Sequence, residues 1–230
     1  MDRKAFEERV AAQPFAPLWS VLYQCLTDEI VAMRLPPGSK LKEGQTAEEL
    51  SVSRSPVRMA IARLLEDGLL ERVGKQYRVS PVDQLDCMSL CEARIAVESQ
   101  AAFLAAKRIT PRQLAQMAEH VKAFERLEDE AESADLLEYA RHDDQFHQII
   151  IDAAGNPYIS EMYRSIRSRL LRYRYYLFMQ RRGWVLQEFT TVHHKAIYNA
   201  LRSYSSSAAS IEVQEDARRM LTVIGKIGAK

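Results

Sequence analysis

Two groups of residues in this 230-residue sequence have types and spacings that suit chemistry. The first is Ser53-Arg54-Ser55-Pro56-Val57-Arg58, where arginines and serines flank a proline. Proline is well placed in the first turn of a helix, and Ser55 before it is a good N-cap residue. Guanidinium and hydroxyl groups at a helix start can bind phosphates and base edges. The segment therefore predicts the start of a DNA-reading helix.

The second group is the pair Asp143 and His147. Asp143 and His147 are four residues apart, so on a helix their side chains leave the same face and can share a cation. A carboxylate with a neutral imidazole suits Zn, Ni, Mn or Fe. Taken alone, such an Asp-x-x-x-His pair more often indicates surface chemistry or a structural histidine.

The elements around the first group predict a small DNA-binding domain. The reader helix is expected to run to about Glu66, because Gly68 is a typical C-terminal stop. The other expected elements are helices over 18–33 and 46–50 before it and strands over 69–73 and 77–79 after it, joined by Gly74-Lys75-Gln76. Three helices followed by a two-stranded wing make a winged helix-turn-helix.

The stretch from Leu35-Pro36-Pro37-Gly38 to Gly74 resembles the GntR family of bacterial transcription regulators at many separated positions. The resemblance covers roughly residues 15–80. It implies that DNA is contacted through six residues, namely Ser53, Arg54, Ser55, Arg58 and, at the wing tip, Gly74 and Lys75. One departure is Gly44, since relatives often have an arginine there that contacts DNA. The resemblance implies that this contact is absent here or is replaced by Lys42 or Gln45.

Composition favours a soluble protein with two domains. The apolar content of 47% and the charged content of 27% are ordinary for a globular protein. No apolar run approaches the roughly 18 residues of a membrane span, and the first residues lack the apolar core of a signal peptide. The three cysteines, Cys25, Cys87 and Cys91, form no C-x-x-C pair and are expected to be buried thiols. We therefore expect a cytoplasmic protein.

Positive charge is concentrated near the reader helix. Residues 53–78 carry six Lys and Arg against three Asp and Glu, whereas the net charge of the whole chain is only +1. Such a local excess predicts modest non-specific affinity for DNA. Specific binding would then depend on dimerisation and on base contacts.

Beyond the boundary at Ser80-Pro81-Val82-Asp83, the chain is expected to be almost entirely helical. Only four glycines follow residue 80, and strand-type alternation is missing. The expected helices lie near 83–108, 111–132, 134–154, 157–182, 187–203 and 211–226. Six antiparallel helices joined by short turns make a bundle. The predicted fold class is therefore mostly α, with domains over 1–80 and 81–230.

Three segments of this second half, Glu92–Glu98, Asp143–His147 and His194–Ile197, resemble the FCD effector domain of FadR-type GntR regulators. The resemblance implies a pocket for a small carboxylate effector. It also implies a divalent metal (Zn, Ni, Mn or Fe) held by Asp143, His147 and His194. The family's fourth ligand should lie at Val223, which has no donor atom, so the presence of a metal stays open at this point.

Arginines in the second half are candidates for binding an acidic effector. Arg94 could bind an effector carboxylate by a bidentate contact, and the alternative is an ion pair with Glu98 on the same helix face. Residues 163–182 contain seven arginines and no acidic residue. These arginines form a solvated basic face or a partly inward-facing set that would favour an anion in the pocket, and a second DNA-binding surface is the least favoured alternative.

The leading hypothesis is a ligand-responsive transcription regulator that binds a palindromic operator as a homodimer. An alternative is a metal-free regulator of a larger acyl or lipid-like ligand, favoured by Val223 and the run Ile149-Ile150-Ile151. A metal-dependent enzyme is the least favoured hypothesis, because a His-Glu-x-x-His motif, a glycine-rich phosphate loop and a nucleophile elbow are all missing. The expected partners are operator DNA, a small organic acid and a second copy of the chain.

Overall fold

The computed structural model describes residues 3–130, 135–180 and 191–228. The chain divides into two compact units, Met1–Val82 and Asp83–Lys230. Within the described residues both units are built mainly from helices, and one small sheet lies in the first unit. The predicted fold class, a winged helix-turn-helix followed by a helical bundle, is confirmed. None of the described helices is both long and apolar enough to span a membrane.

The first unit contains four helices and three short strands. The helices are α1 (Arg3–Ala12), α2 (Leu18–Val31), α3 (Glu43–Glu49) and α4 (Arg54–Glu66), and the strands are β1 (Lys40–Leu41), β2 (Leu70–Val73) and β3 (Gln76–Val79). The strands pair antiparallel in the order β1-β3-β2. Sequence analysis missed α1 and β1. A strand of two residues such as β1 has no periodicity of its own and forms only where β3 offers it a partner.

The core of this unit lies between α2 and α4. Buried side chains recur every three or four residues on both helices, so each presents one apolar face to the other. These residues are Leu22, Leu26 and Ile30 on α2 and Val57, Ile61 and Leu64 on α4. The opposite face of α4 is thereby left in solvent.

The two ends of α4 differ in how well they were predicted. Gly68 follows the helix with a φ of +69°, a conformation that glycine adopts without strain, and the backbone N–H of Leu69 donates to Leu64. The predicted stop is therefore correct. The predicted N-cap at Ser55 is wrong, because Ser53 has the extended backbone of the cap and the helix begins at Arg54. Pro56 still lies in the first turn, where its missing N–H costs no hydrogen bond.

The second unit contains six helices within the described residues. They are α5 (Gln84–Ala105), α6 (Pro111–Glu130), α7 (Leu136–Ala154), α8 (Pro157–Gln180), α9 (Thr191–Arg202) and α10 (Ser206–Gly228). Asp83 and Asp135 cap α5 and α7 by accepting from backbone N–H groups of the first turn. Gly155 closes α7 in the left-handed conformation. The helix predicted near 211–226 begins earlier in the structure, since α10 starts at Ser206.

Candidate functional site

The start of α4 is exposed at the surface of the first unit. Ser53, Arg54, Ser55 and Arg58 are all exposed, whereas Val57 between them is fully buried. The apolar face therefore anchors the helix and leaves its first turn free to meet a partner. Backbone N–H groups at a helix start favour anions, so this turn suits a phosphate or a base edge.

Both arginines of this turn lie against the start of α3. Arg58, with 70% of its side chain exposed, donates from Nη2 to Oε1 of Glu43 at 2.9 Å and from Nε to Oε2 at 3.2 Å. The Arg58 guanidinium lowers the pKa of the Glu43 carboxyl by this hydrogen bonding. Arg54 lies over Gly44, where a Cβ atom would come within 3.5 Å of its Nη2. That distance is an ordinary van der Waals contact, so Arg54 packs beside position 44 without requiring a glycine there.

The wing adds a second exposed cationic tip. Gly74 turns the hairpin with a φ of +61°, and both Gly74 and Lys75 are exposed. Arg72 donates from Nε to the carbonyl oxygen of Gly74 at 3.2 Å, which supports the turn. A groove beside this tip is lined by Lys40, Lys42 and Lys75 among others. Of the two proposed replacements for the missing arginine, Lys42 therefore lies in a cationic groove.

The three predicted metal ligands are brought together inside the helical bundle. Asp143 and His147 on α7 and His194 on α9 are all buried, and one donor atom from each lies within 4.8 Å of the others. His194 Nε2 is 3.0 Å from Asp143 Oδ1, and His147 Nε2 is 4.0 Å from the same atom. Buried carboxylate and imidazole donors at these separations are a donor set that fits a divalent metal.

Four further charged side chains complete this buried cluster, and they come from three other helices. Arg94 on α5 donates to Glu98 Oε1 at 2.9 Å and to Asp216 Oδ2 at 2.6 Å. Arg174 on α8 contacts Asp143. The ion pair of Arg94 with Glu98, which was the alternative to an effector contact, is therefore present, and the effector role of Arg94 stays a prediction.

The charges of this cluster shift one another's pKa values strongly. Burial alone would raise the pKa of Glu98, but Arg94 and His147 lower it to about 2. Burial alone would lower the pKa of His147, but the Glu98 carboxylate raises it to about 9. Burial also opposes ionisation of Asp143, yet Arg174 and His194 hold its pKa well below the usual range. A metal at His147 would therefore have to displace a proton.

Val223 contributes no ligand, as the sequence implies. The side chain is fully buried on α10, and its hydrocarbon has no donor atom. Asp216, two turns earlier on the same helix, places its Oδ2 atom 3.4 Å from His147 Nε2. Within the described residues the cluster therefore has a carboxylate on α10 that sequence analysis did not single out.

The missed residues had a signal in the sequence. Asp216 interrupts a buried stripe on α10 formed by Val213, Ala217, Met220 and Val223. Arg174 similarly interrupts the buried stripe of Leu170 and Leu177 on α8. An isolated charge at a core position indicates a buried polar partner. Arg181 and Arg182 of the same arginine-rich segment lie outside the described residues.

Comparison with known families gives a match for each of the two units. Residues 19–76 match the family described as bacterial regulatory proteins, gntR family. Residues 89–217, more than half of the chain, match the FCD domain. The chain belongs to the GntR family. It is thus a DNA-binding transcription regulator with an FCD effector domain, and its relatives are transcription regulators and not enzymes.

Individual GntR-family proteins are similar over most of the chain. The transcriptional repressor RspR of Escherichia coli K12 is 28% identical over 166 residues, which is 72% of each chain. LutR of Bacillus subtilis 168 is 28% identical over 197 residues, covering 76% of this chain and 86% of its own. Among solved structures, E. coli McbR/YncC has a TM-score of 0.79 at 20% identity, covering 93% of this chain and 100% of its own. At that identity the last comparison supports the fold alone.

Proposed function

We propose that this GntR-family regulator binds a palindromic operator as a homodimer in the cytoplasm and that a small carboxylate metabolite controls its affinity. The observation that carries the DNA-binding part is the exposed first turn of α4, where Arg54 and Arg58 stand beside Ser53 and Ser55. Guanidinium groups at this position of a reader helix can bind guanine edges or phosphates. The exposed wing tip of Gly74 and Lys75 supplies a further backbone contact.

We expect dimerisation because a single DNA-reading helix, α4, covers little DNA. One helix contacts too few base pairs to find an operator among competing sites. Two copies related by a two-fold axis would place their α4 helices in major grooves about one helical turn apart. A palindromic operator is the DNA that matches such a dimer.

The effector site is proposed for the buried cluster of the bundle. Asp143, His147 and His194 would hold a divalent metal (Zn, Ni, Mn or Fe), which when bound supplies open coordination positions for a carboxylate oxygen. Arg94 and Arg174 add two buried guanidinium groups beside these donors. Guanidinium groups recognise carboxylates, so the cluster favours a small organic acid over a neutral ligand.

A metal-free site for a larger acyl ligand is the second candidate, because Val223 adds hydrocarbon and no donor to the same bundle. The two candidates differ in what stabilises the protein. A dicarboxylate or sugar acid should raise the melting temperature more with metal than without, whereas an acyl ligand should act equally in chelator.

The experiment that tests the proposed function begins with selection of operator sequences from random DNA by the purified protein. We expect a palindromic sequence with two half-sites, bound more tightly than a scrambled duplex of the same length and composition at the same salt concentration. A panel of small carboxylic acids should contain a compound that changes this affinity. Recovery of no preferred sequence, or a single unpaired half-site, would contradict the proposal.

A further inference from the structure

Glu43 and Arg58 form an ion pair that joins the two helices of the helix-turn-helix. Arg58 Nη2 donates to Glu43 Oε1 at 2.9 Å, and Arg58 Nε donates to Glu43 Oε2 at 3.2 Å. Both carboxylate oxygens and two guanidinium nitrogens take part, so the contact is bidentate. A contact of this geometry fixes the orientation of the guanidinium plane as well as its position.

The contact with Glu43 leaves one edge of the Arg58 guanidinium for DNA. A guanidinium has a side edge, formed by Nε and Nη2, and an end edge, formed by Nη1 and Nη2, and each edge carries two parallel N–H groups. Glu43 accepts from the side edge. The two parallel donors of the end edge match O6 and N7 of a guanine in the major groove. Glu43 and a guanine can therefore bind Arg58 at the same time.

The two members of the pair are exposed to different degrees. The side chain of Arg58 is 70% exposed, whereas that of Glu43 is 21% exposed. Arg58 is therefore the member that DNA can reach, and Glu43 is mostly covered by protein. This difference suits a carboxylate that supports the arginine better than one that contacts DNA itself.

The position of Glu43 relative to the reader helix is fixed by the core. Glu43 is the first residue of α3, and Arg58 follows the first turn of α4. The two helices share one hydrophobic cluster, which contains Ala47 of α3, Leu50 directly after α3, and Val57 of α4. The carboxylate therefore has its place before DNA binds and can orient Arg58 in the free protein.

We propose that Glu43 is a positioning residue of the DNA-reading surface and that it directs the end edge of Arg58 toward a guanine in each half-site. A free arginine side chain has many rotamers and loses that freedom when it binds a base edge. The pair with Glu43 removes part of this freedom in advance, so the arginine discriminates better between bases. The inference rests on the reader role of α4 proposed above.

Two simpler roles of Glu43 explain less of the geometry. A carboxylate in the first turn of α3 interacts favourably with the helix dipole, but that role does not require both of its oxygens to accept from Arg58. A carboxylate in a DNA-binding surface also repels phosphates, so a surface for phosphate contacts alone gains nothing from it. Orientation of Arg58 accounts for both observations.

The test measures base discrimination by the full-length protein. Each G·C pair of the selected operator is replaced by A·T in both half-sites, and the pair whose replacement no longer affects Arg58→Ala is the one that Arg58 reads. Discrimination is the Kd for that replaced duplex divided by the Kd for the operator, at one salt concentration. We expect Glu43→Gln to lower this ratio on the order of tenfold, because a dimer loses two oriented base contacts.

Matched variants separate orientation from charge. Glu48→Gln removes an exposed carboxylate from the same helix and should keep the wild-type ratio. Both glutamine variants should bind a scrambled duplex slightly more tightly, since each removes a charge that repels phosphates. Glu43→Asp keeps the charge but shortens the side chain by one methylene. It should lower the ratio and leave binding of the scrambled duplex unchanged.

A double variant tests whether Glu43 acts through Arg58. In Glu43→Gln/Arg58→Ala the ratio should equal that of Arg58→Ala alone, because a positioning residue has no effect once its partner is removed. Melting temperatures equal to that of the wild type would establish that each variant is folded. A ratio still lower than that of Arg58→Ala would mean that Glu43 contacts a base directly, which contradicts the inference.

The outcomes distinguish this inference from the proposed function. A wild-type ratio in Glu43→Gln, together with lost discrimination in Arg58→Ala, would overturn the positioning role and leave α4 as the reader. If Arg58→Ala keeps full discrimination at every G·C pair, Arg58 reads no guanine and the inference fails with it. If no operator can be selected, the proposed function itself is wrong and nothing remains for Glu43 to support.

Discussion

Replacing Arg54 with alanine should abolish specific operator binding without disturbing the fold. The side chain is exposed at the first residue of α4 and lies over Gly44. Exposed substitutions of this kind change the free energy of unfolding by less than about 0.5 kcal/mol. A good base contact contributes about 1–3 kcal/mol. A homodimer loses that contact twice, so the loss in binding is about 2–6 kcal/mol, or roughly 30-fold to 10⁴-fold in Kd.

The measurement is fluorescence anisotropy with a labelled operator at one fixed salt concentration. The matched control is Arg34→Ala, which removes an equal charge from an exposed arginine that pairs with Glu29 in the same unit. Comparison of the two variants separates a specific contact from a general loss of positive charge. Melting curves for both variants establish that each is folded, and we expect their melting temperatures to agree with that of the wild type.

One outcome of this measurement would refute the role of Arg54 in reading DNA. If folded Arg54→Ala binds the operator as tightly as Arg34→Ala, the first turn of α4 does not read DNA. Arg58→Ala provides an independent check on the same helix, with a loss of affinity expected in the same direction. Because Arg58 is held by Glu43, that variant also frees a carboxylate near the DNA, which should weaken binding further by repulsion.

Three further predictions concern the pH dependence, the metal and the assembly. Burial and the neighbouring His142 lower the pKa of His120, so its contribution to stability is present above pH ~6.5 and is lost as the pH falls through the lowered pKa. In chelator, the melting temperature should therefore drop between about pH 7 and pH 5, and the drop should be smaller in His120→Gln. An equally steep fall of the melting temperature with pH in both proteins would contradict this role of His120. Elemental analysis should find about one divalent ion per chain, lost in His147→Ala, and chelation should lower the wild-type melting temperature. A protein that contains no ion and whose melting temperature is unchanged by chelator would refute the proposed metal site. Light scattering should give twice the chain mass of 26.4 kDa, and a monomer in the presence of operator would count against the dimer.

Local patterns in the sequence were enough to predict the DNA-reading helix. The apolar residues of α4 recur every three or four positions, and the burial of Val57, Ile61 and Leu64 follows directly from that period. Gly68 predicts the end of the helix because a single residue decides whether the backbone can turn left-handed. The start was misplaced by two residues at Ser55, since a serine on either side of Arg54 is an equally good cap.

The pairing of Asp143 with His147 was also decided locally. Four residues along a helix bring two side chains to one face whatever surrounds them, so the predicted pair exists as soon as α7 forms. The approach of His194 needed a second helix, and the resemblance to a known family supplied that expectation. Its distance of 3.0 Å from Asp143 is a property of the packed bundle.

Only the tertiary structure decided the rest of the buried cluster. Glu98, Arg174 and Asp216 come from helices far apart in the chain, and no local period relates them to Asp143 or His147. Their partners are set by which helix faces meet, because a buried charge is stable only where an opposite charge or a ligand is brought within contact distance. The residue types on α4 and α7 thus predict their chemistry from the sequence alone. The position of the Asp216 carboxylate beside the His147 imidazole, in contrast, is decided by how α10 packs against α7.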